Sequence, residues 1–252
     1  MSNVTLQSPV GQVAARQGEA IRILEQHGID YCCGGDKSLD TACRDAGIDA
    51  QEVLAQIEHA KPSEDEARGE WLDASLTKLC DHIEQTHHAF LREQLPFLTQ
   101  LIDKVVDAHG QRHPELSDVR LVFGELRAEL EPHMMKEERI LFPAVRALEQ
   151  ASHRVAFPFG SVQNPIRMME HEHDNAGQGL RRLRKLTGGF VAPDDACNAY
   201  RGLYEALAKL EADLHEHIHK ENNILFPRAA ELEARQQAVA SANRLPIHGN
   251  QT

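Results

Sequence analysis

Apolar residues recur along most of this chain with the 3.6-residue period of amphipathic helices, and almost nowhere with the two-residue period of strands. Four long stretches carry the pattern, namely residues 72–109, 116–148, 166–186 and a last stretch that starts after Pro193 and ends near Leu232. No Asn-Gly or Asp-Gly pair lies between alternating runs, so no tight hairpin is indicated. The pattern predicts an all-α protein with a four-helix bundle over residues 72–232.

A shorter helical pattern precedes these stretches. It predicts one helix from Pro9 to His27, a short helix from Ser38 to Gly47, and a third helix capped by Asp49. Residues 61–70 are polar and highly charged, and the residues after 232 show no period. The sequence therefore predicts a small N-terminal helical domain (1–60), a linker (61–71), the bundle (72–232) and a flexible tail (233–252).

The overall charge narrows the classes of partner. The formal net charge is −12, which argues against a nucleic acid or an anionic membrane as the main partner. No apolar run approaches the roughly 18 residues of a membrane span, and the first residues do not resemble a secretory signal. The five cysteines are odd in number and irregularly spaced, which indicates no disulfide framework and favours a reducing cytoplasm.

One His/Glu motif occurs twice. His133 precedes Glu137 by four positions, and His217 precedes Glu221 by four. Side chains at this spacing share one face of a helix, so each motif projects an imidazole and a carboxylate side by side. Each motif is followed by Ile-Leu-Phe-Pro, which predicts core packing with a proline kink or helix end. The interval between the two histidines equals that between the two glutamates, so an internal duplication is indicated.

A further histidine extends the repeat. The interval from His88 to His173 exceeds that between the two motifs by a single position, so each half carries one histidine before its His/Glu motif. Two α-hairpins related by approximate twofold symmetry would bring four histidines and two glutamates together inside a bundle. Mixed imidazole and carboxylate ligands suit iron or manganese, whereas a zinc site would use four ligands around one ion. A lone histidine is more often a plain core or surface residue, but so many buried ionisable groups require a partner.

The neighbouring histidines are distinguished by helical register. His171 and His173 point about 200° apart, so only one of them faces the core. Among His215, His217 and His219, we prefer His217 because Glu221 lies four positions further on. Three others are expected to be solvated: His82, His109 and His113. Glu172 is a candidate for a supporting or access-path role, and a solvated helix carboxylate is an equal alternative.

Cys32 and Cys33 form the second candidate site. Adjacent cysteines do not easily form an unstrained mutual disulfide, which favours a redox pair acting across two molecules or domains. The glycines beside them predict accessible thiols that are suited to exchange chemistry. The alternative is a pair of small buried residues in a turn. Cys197, at the predicted start of a helix, is expected to serve packing or capping.

These motifs in combination resemble the di-iron iron–sulfur cluster repair proteins, whose catalytic domain is a hemerythrin-like bundle. The resemblance spans roughly residues 8–230, and the matching motifs are His88-Ala-Phe-Leu-Arg92-Glu-Gln-Leu-Pro96, His133-Met-Met-Lys-Glu137, Glu172-His173-Asp174, His217-Ile-His-Lys-Glu221 and Ile29-Asp30-Tyr31-Cys32-Cys33-Gly34-Gly35. It implies two non-haem iron ions, oxo-bridged, with four terminal histidine ligands and bridging carboxylates from Glu137 and Glu221. The terminal ligands would be His88, His133, His173 and His217.

The resemblance also implies a function. It indicates a cytoplasmic stress-response protein that restores iron–sulfur clusters damaged by nitric oxide or oxidants, by donating iron or by reducing NO at the two irons. Its partners would be damaged iron–sulfur proteins, NO or O₂ as a small ligand, and an electron donor acting through Cys32 and Cys33. Whether the chain is an enzyme stays open, because an O₂ or NO sensor or carrier and an iron store are alternatives. A homodimer through the N-terminal domain is a further hypothesis.

Overall fold

The structure, a computed structural model, describes residues 4–60 and 70–242. These residues form helices joined by loops, with two isolated β-bridges and no strand, which confirms the predicted all-α class. The helices are α1 (Val10–Arg16), α2 (Gly18–Gln26), α3 (Leu39–Ala46), α4 (Ala50–His59), α5 (Glu70–Asp73), α6 (Leu76–His82), α7 (Ala89–His109), α8 (Glu115–Lys136), α9 (Phe142–Gln150), α10 (Gln163–Leu186), α11 (Asn198–Lys220) and α12 (Phe226–Ala242).

The first four helices form a unit with an apolar core of its own. The side chain of Ser38 caps α3 by accepting the Thr41 N–H, and Gly47 ends that helix with a φ of 72°, as the sequence predicts. The predicted single helix from Pro9 to His27 is wrong, however. The backbone at Gln17 is extended, so the chain forms α1 and α2 with a corner between them.

The long helices α7, α8, α10 and α11 build the bundle. Two apolar clusters fill it. One lies among α7, α8, α10 and α11, and the other joins α6, α9, α12 and the first turns of α10. The repeated His and Glu residues fall between the stretches that contribute to these two clusters. The candidate ligands therefore lie in a polar layer between two apolar ones.

Three π-helical turns interrupt the bundle helices, at Ile83–His88, Glu137–Leu141 and Glu221–Leu225. Two of them are followed by Pro143 and Pro227, which have no N–H to donate to the carbonyl of the preceding turn. A wider turn accommodates this missing hydrogen bond. The prolines do not end the helical path, because α9 and α12 continue from them.

The last helix corrects the predicted tail. Helix α12 extends to Ala242, well past the boundary expected at Leu232. Glu233 is buried, and its carboxylate accepts hydrogen bonds from the Ser161 hydroxyl at 2.6 Å and the Val162 N–H at 3.2 Å. The predicted flexible tail is therefore wrong for residues 233–242. Residues 243–252 and most of the predicted linker, 61–69, lie outside the described residues, and α5 begins at Glu70.

No described helix combines the length and the apolar character that crossing a membrane requires.

Candidate metal centre

The folded chain brings the six predicted ligands into two adjoining groups. One group contains His88 and His217, the other contains His133 and His173, and both contain the same two glutamates. Within each group, one ligand atom per residue lies within 4.8 Å of all the others. All six side chains are at most 3% exposed. Each group can hold one metal ion, and the shared glutamates place the two positions side by side.

Each glutamate faces both groups. The Oε2 of Glu137 lies 3.2 Å from Nε2 of His88, while its Oε1 lies 3.3 Å from Nε2 of His133. The Oε2 of Glu221 lies 3.1 Å from Nε2 of His173 and 3.4 Å from Nε2 of His217. A carboxylate placed in this way can bridge two metal ions.

Several of these atoms lack a hydrogen-bond partner. Among the described residues, both carboxylate oxygens of Glu137 and of Glu221 are buried without one, and so is Nε2 of His88 and of His217. The other two histidines direct their Nε2 atoms at each other, 3.1 Å apart. Burying polar atoms in this state costs free energy unless a ligand binds them. The donor set of imidazole nitrogens and carboxylate oxygens fits iron.

The charges of these side chains partly compensate one another. Burial lowers the pKa of His133, but the carboxylates of Glu137, Glu172 and Glu221 together outweigh it and raise that pKa to about 10. Burial would raise the pKa of Glu221, but hydrogen bonding and charge from His173 hold it below its usual value. Burial lowers the pKa of His217 well below its ordinary value, so this imidazole is neutral and ready to bind a cation.

A supporting layer orients three of the histidines through Nδ1. His88 contacts Oε1 of Glu138 at 2.7 Å, and the same carboxylate is bound by Arg92. His173 contacts Oδ1 of Asn222 at 2.8 Å. An acceptor at Nδ1 fixes the tautomer and leaves Nε2 free to bind a metal.

The third histidine, His133, contacts Glu172, which the sequence makes a candidate for a supporting role. Oε2 of Glu172 lies 2.8 Å from Nδ1 of His133, and its other oxygen binds Lys136. The His133 hydrogen bond is the main reason that the pKa of Glu172 falls to about 2. Glu172 therefore stays ionised and can orient His133.

The residues that orient the histidines follow the same internal duplication as the ligands. Two of them were not predicted from the sequence. Glu138 and Asn222 each directly follow one of the two shared glutamates, so they are separated by the same interval as the glutamates themselves. That interval was the signal that could have revealed them. The symmetry breaks at the fourth histidine. The counterpart of Glu172 is His87, whose ring stacks on His217 at 5.3 Å between centroids, and among the described residues Nδ1 of His217 has no hydrogen-bond partner.

The burial of the other histidines differs from what the sequence predicts. His109 is only 7% exposed and places Nε2 3.2 Å from the sulfur of Cys197, so the prediction that it is solvated is wrong. His219 is also buried, because this side of α11 faces the N-terminal unit, and its ring lies 5.4 Å from that of Tyr31. His87 is buried between Asp213 and Lys220. Helical register alone predicts that only one histidine of each closely spaced group faces the core.

The motifs after the two glutamates also differ in burial. Leu141, Phe142, Leu225 and Phe226 are buried beneath the site, as predicted. Ile140 is 46% exposed, so the packing prediction is wrong for this residue.

The Cys32-Cys33 loop lies directly against this site. The side-chain amide of Asn223 donates to the carbonyl of Cys32 at 3.1 Å, and the Cys33 sulfur lies 3.5 Å from the carbonyl of His173. Both cysteines are free thiols, with their sulfurs 3.9 Å apart. Cys32 is only 5% exposed, so the prediction of two accessible thiols holds at most for the half-buried Cys33. The neighbouring Cys33 and burial raise the Cys32 pKa well above its ordinary value.

The glycines of this loop serve close packing. A Cβ atom on Gly35 would lie 2.3 Å from Oδ1 of Asn223 and 2.9 Å from the carbonyl of Tyr31. A Cβ atom on Gly11 would lie 2.1 Å from the same Asn223 oxygen. The N-terminal unit can approach the π turn after Glu221 because these two positions carry no side chain.

A narrow cavity leads to the candidate metal centre. It leaves about 10 Å³ for the centre of a water-sized molecule, room for roughly one such molecule. Three candidate ligands line it, and its remaining wall is largely apolar, including Leu130, Ala176, Leu214 and Ile218.

Comparison with known proteins extends these observations. Residues 80–229 match the family model of the Hemerythrin HHE cation binding domain, and residues 6–61 match that of a Domain of Unknown function (DUF542). The chain is 37% identical over 221 residues to the iron-sulfur cluster repair protein YtfE of Edwardsiella ictaluri, which covers 88% of this chain and 96% of that protein. It is 35% identical over 223 residues to a probable iron-sulfur cluster repair protein of Haemophilus influenzae, with coverage of 88% and 96%.

A third relative has the same extent. The YtfE protein of Pectobacterium carotovorum is 36% identical over 224 residues, covering 87% of this chain and 95% of that protein. The hemerythrin match includes all six clustered residues, and the N-terminal match includes both thiols. The chain thus belongs to the iron–sulfur cluster repair protein family, with an HHE cation-binding domain of the hemerythrin type.

Proposed function

We propose that this chain is a di-iron protein that takes part in the repair of damaged iron–sulfur clusters. The hemerythrin-type domain implies iron binding. The observation that carries the proposal is the pair of buried His/Glu groups that share two glutamates, whose oxygens lack hydrogen-bond partners. Two iron ions, with an oxo bridge between them, are our proposal for the occupants of this site.

The residues divide the work as follows. Glu137 and Glu221 would bridge the two ions, because each carboxylate faces histidines of both groups. His88, His133, His173 and His217 would be terminal ligands through Nε2. Glu138, Glu172 and Asn222 hold three of the imidazoles in place. Six protein ligands leave coordination positions open on a pair of ions, and the bound irons would supply redox chemistry and exchangeable iron.

The narrow cavity favours a small ligand. Its limited volume and apolar wall suit a diatomic molecule such as NO or O₂ rather than a larger substrate. Reduction of two NO molecules by two electrons and two protons yields one N₂O and one water. The electrons must come from an external donor, and the Cys32-Cys33 loop beside His173 is our proposal for where they enter.

Family membership connects this site to repair. The relatives are named for iron–sulfur cluster repair, and they match this chain along nearly their whole length. We infer that the targets are iron–sulfur proteins damaged by nitrosative or oxidative stress in the cytoplasm. Repair would proceed by iron donation, by NO reduction at the two irons, or by both. We further propose that residues 1–60 are a separate domain that presents the thiols to the bundle.

Metal analysis of the purified protein tests the di-iron proposal. We expect two irons per chain, and at most one in His133→Ala or Glu221→Ala, because each substitution removes a ligand from a buried site. The control is His153→Ala, which removes an exposed histidine outside the site and should retain two irons. Two irons per chain in either ligand variant would overturn the assignment.

Adding NO to the iron-loaded, reduced protein separates an enzyme from a carrier. Turnover to N₂O would support NO reduction, whereas reversible binding without turnover would support the hemerythrin-type sensor or carrier. Restored activity of an iron–sulfur enzyme previously damaged by NO would then test repair itself. No restoration by the iron-loaded protein, with an electron donor present, would refute the repair function.

A further inference from the structure

A second group of metal-binding side chains lies outside the bundle. Asp30, Cys32 and Cys33 each place one ligand atom within 4.8 Å of the others. The Asp30 carboxylate accepts the N–H groups of Cys32 at 3.2 Å, Cys33 at 3.0 Å and Gly34 at 3.1 Å, which holds the loop in one conformation. Two thiols and a carboxylate are therefore arranged close together before any metal arrives.

An acidic groove opens onto this group. It has a volume of about 300 Å³, and its lining includes both cysteines together with three carboxylates, Asp36, Glu170 and Asp174. No lysine or arginine of the described part of the chain lines this groove. A second cleft is lined by Asp30 and both cysteines and carries Arg181 and Arg184, and Arg181 lies 3.5 Å from Oδ2 of Asp30. A cation would therefore approach the thiols through the acidic groove, whose carboxylates attract positive charge, rather than through the arginine-bearing cleft.

The same group is joined to the candidate metal centre. Cys33 touches the carbonyl of His173, and Asn222 accepts from Nδ1 of His173 while its amide lies 3.5 Å from the carbonyl of Cys32. A single asparagine thus spans the distance between a candidate ligand and the cysteine loop. A cation bound by the thiols would lie one residue layer away from the bundle site.

We propose that Asp30, Cys32 and Cys33 form a second metal site, which binds a thiophilic divalent cation such as Fe²⁺ drawn in through the acidic groove. Binding replaces two S–H bonds by two metal–sulfur bonds and releases two protons to solvent, and no electron is transferred. The site then serves as a way station for iron that passes between solvent and the bundle. This last role rests on the proposed repair function, whereas metal binding at the thiols does not.

Cobalt(II) is the probe for the site, because thiolate ligands give it a charge-transfer absorption that histidine and carboxylate ligands do not. The protein is titrated with cobalt(II) without oxygen, with its iron in place and its thiols reduced. We expect one cobalt with thiolate absorption per chain, and loss of that absorption in Cys33→Ser. Cys197→Ser, which changes an exposed cysteine outside the group, is the matched control and should keep it.

Three further variants keep the test independent of folding and of the bundle. Glu170→Gln and Asp174→Asn change exposed groove carboxylates, and each should weaken cobalt binding about fivefold without abolishing the absorption. His133→Ala should keep the absorption, since it alters only the bundle site. No thiolate absorption in the unaltered protein, or full absorption in Cys33→Ser, would overturn the second site.

The transit role has its own readout. The rate at which a ferrous chelator removes iron from the loaded protein should fall about tenfold in Cys33→Ser, with the starting iron content unchanged. An unchanged rate, with the cobalt result intact, would overturn the way station and leave the metal site standing. A bundle without iron, with the cobalt result intact, would refute the proposed function and not the second site.

Discussion

Glu137 and Glu221 are fully buried carboxylates at the candidate metal centre, each 0% exposed. Taking two carboxylates out of water within a few ångströms of each other costs several kcal/mol per ion. Imidazolium charge offsets part of that cost in the metal-free chain, and burial limits how far the imidazoles can charge. Divalent metal ions would supply the missing positive charge.

The first prediction concerns the pH dependence of the iron-free protein. Its thermal unfolding midpoint should fall as the pH rises from about 6.5 to about 10. The folded chain raises the pKa of His133 to about 10, and the unfolded value is about 6.5, so this histidine stabilises the fold fully below the lower value. That contribution disappears as the pH rises through the folded pKa. Thermal melts across this range measure the effect.

Two controls isolate His133. The His133→Gln chain should lose most of this decline, because it has no imidazolium to deprotonate. Iron-loaded protein should also show a smaller decline, because a metal replaces the proton on the imidazole. A midpoint that stays level between these pH values in the iron-free chain would contradict the electrostatic account.

At the scale of elements, the close packing of the N-terminal unit against the bundle depends on two glycines. Gly11 lies in α1, Gly35 lies in the loop before α3, and both contact Asn223 in the π turn after Glu221. A Cβ atom at either position would force Asn223 or the surrounding backbone to shift. The π turn in turn results from the local sequence, since Pro227 removes a backbone donor just beyond it.

The second prediction uses a matched pair of glycines. Gly35→Ala should lower the free energy of unfolding by about 1–3 kcal/mol, because its Cβ would overlap a backbone carbonyl as well as Asn223. Gly124→Ala, inside α8 with nothing nearby, should instead raise it by about 1 kcal/mol through helix propensity. Urea unfolding of both variants measures the contrast. Equal midpoints for Gly35→Ala and the unaltered chain would mean that the contact yields without cost.

At the scale of the whole molecule, the N-terminal unit covers the end of α11 that carries the candidate ligand His217. Asn223 donates to the carbonyls of Tyr31 at 3.3 Å and Cys32 at 3.1 Å, and the ring of His219 lies against Tyr31. Cys33 is thereby held against His173. The accessibility of this thiol therefore reports how firmly the unit is seated.

The third prediction is that Asn223→Ala increases the rate of Cys33 alkylation roughly tenfold. Two hydrogen bonds of about 1 kcal/mol each would be lost, and the loop would open more often. Mass spectrometry of the peptide that contains the two cysteines measures the rate. Asn198→Ala, at an exposed helix start, is the control and should leave it unchanged. Unchanged labelling in Asn223→Ala would mean that other contacts hold the loop.

The sequence by itself determined the all-α class and the six clustered residues. Spacing was sufficient because a helix has a fixed period, so His133 and Glu137 share a face wherever their helix packs. His217 follows His133 at the same interval at which Glu221 follows Glu137, and this equality indicated a shared site. Caps such as that of Ser38 were also local, since each acts within its own turn.

Tertiary structure decided what no period encodes. His109 and His219 are buried because α11 packs against partners on both sides, which helical register in one segment does not reveal. Cys32 is buried because two glycines let its loop approach Asn223, whereas the sequence alone favoured accessible thiols. Residues 233–242 continue α12, and Glu233 accepts a hydrogen bond there from Ser161 in a distant loop. Such contacts join residues that are far apart in sequence, and only the packed chain brings them together.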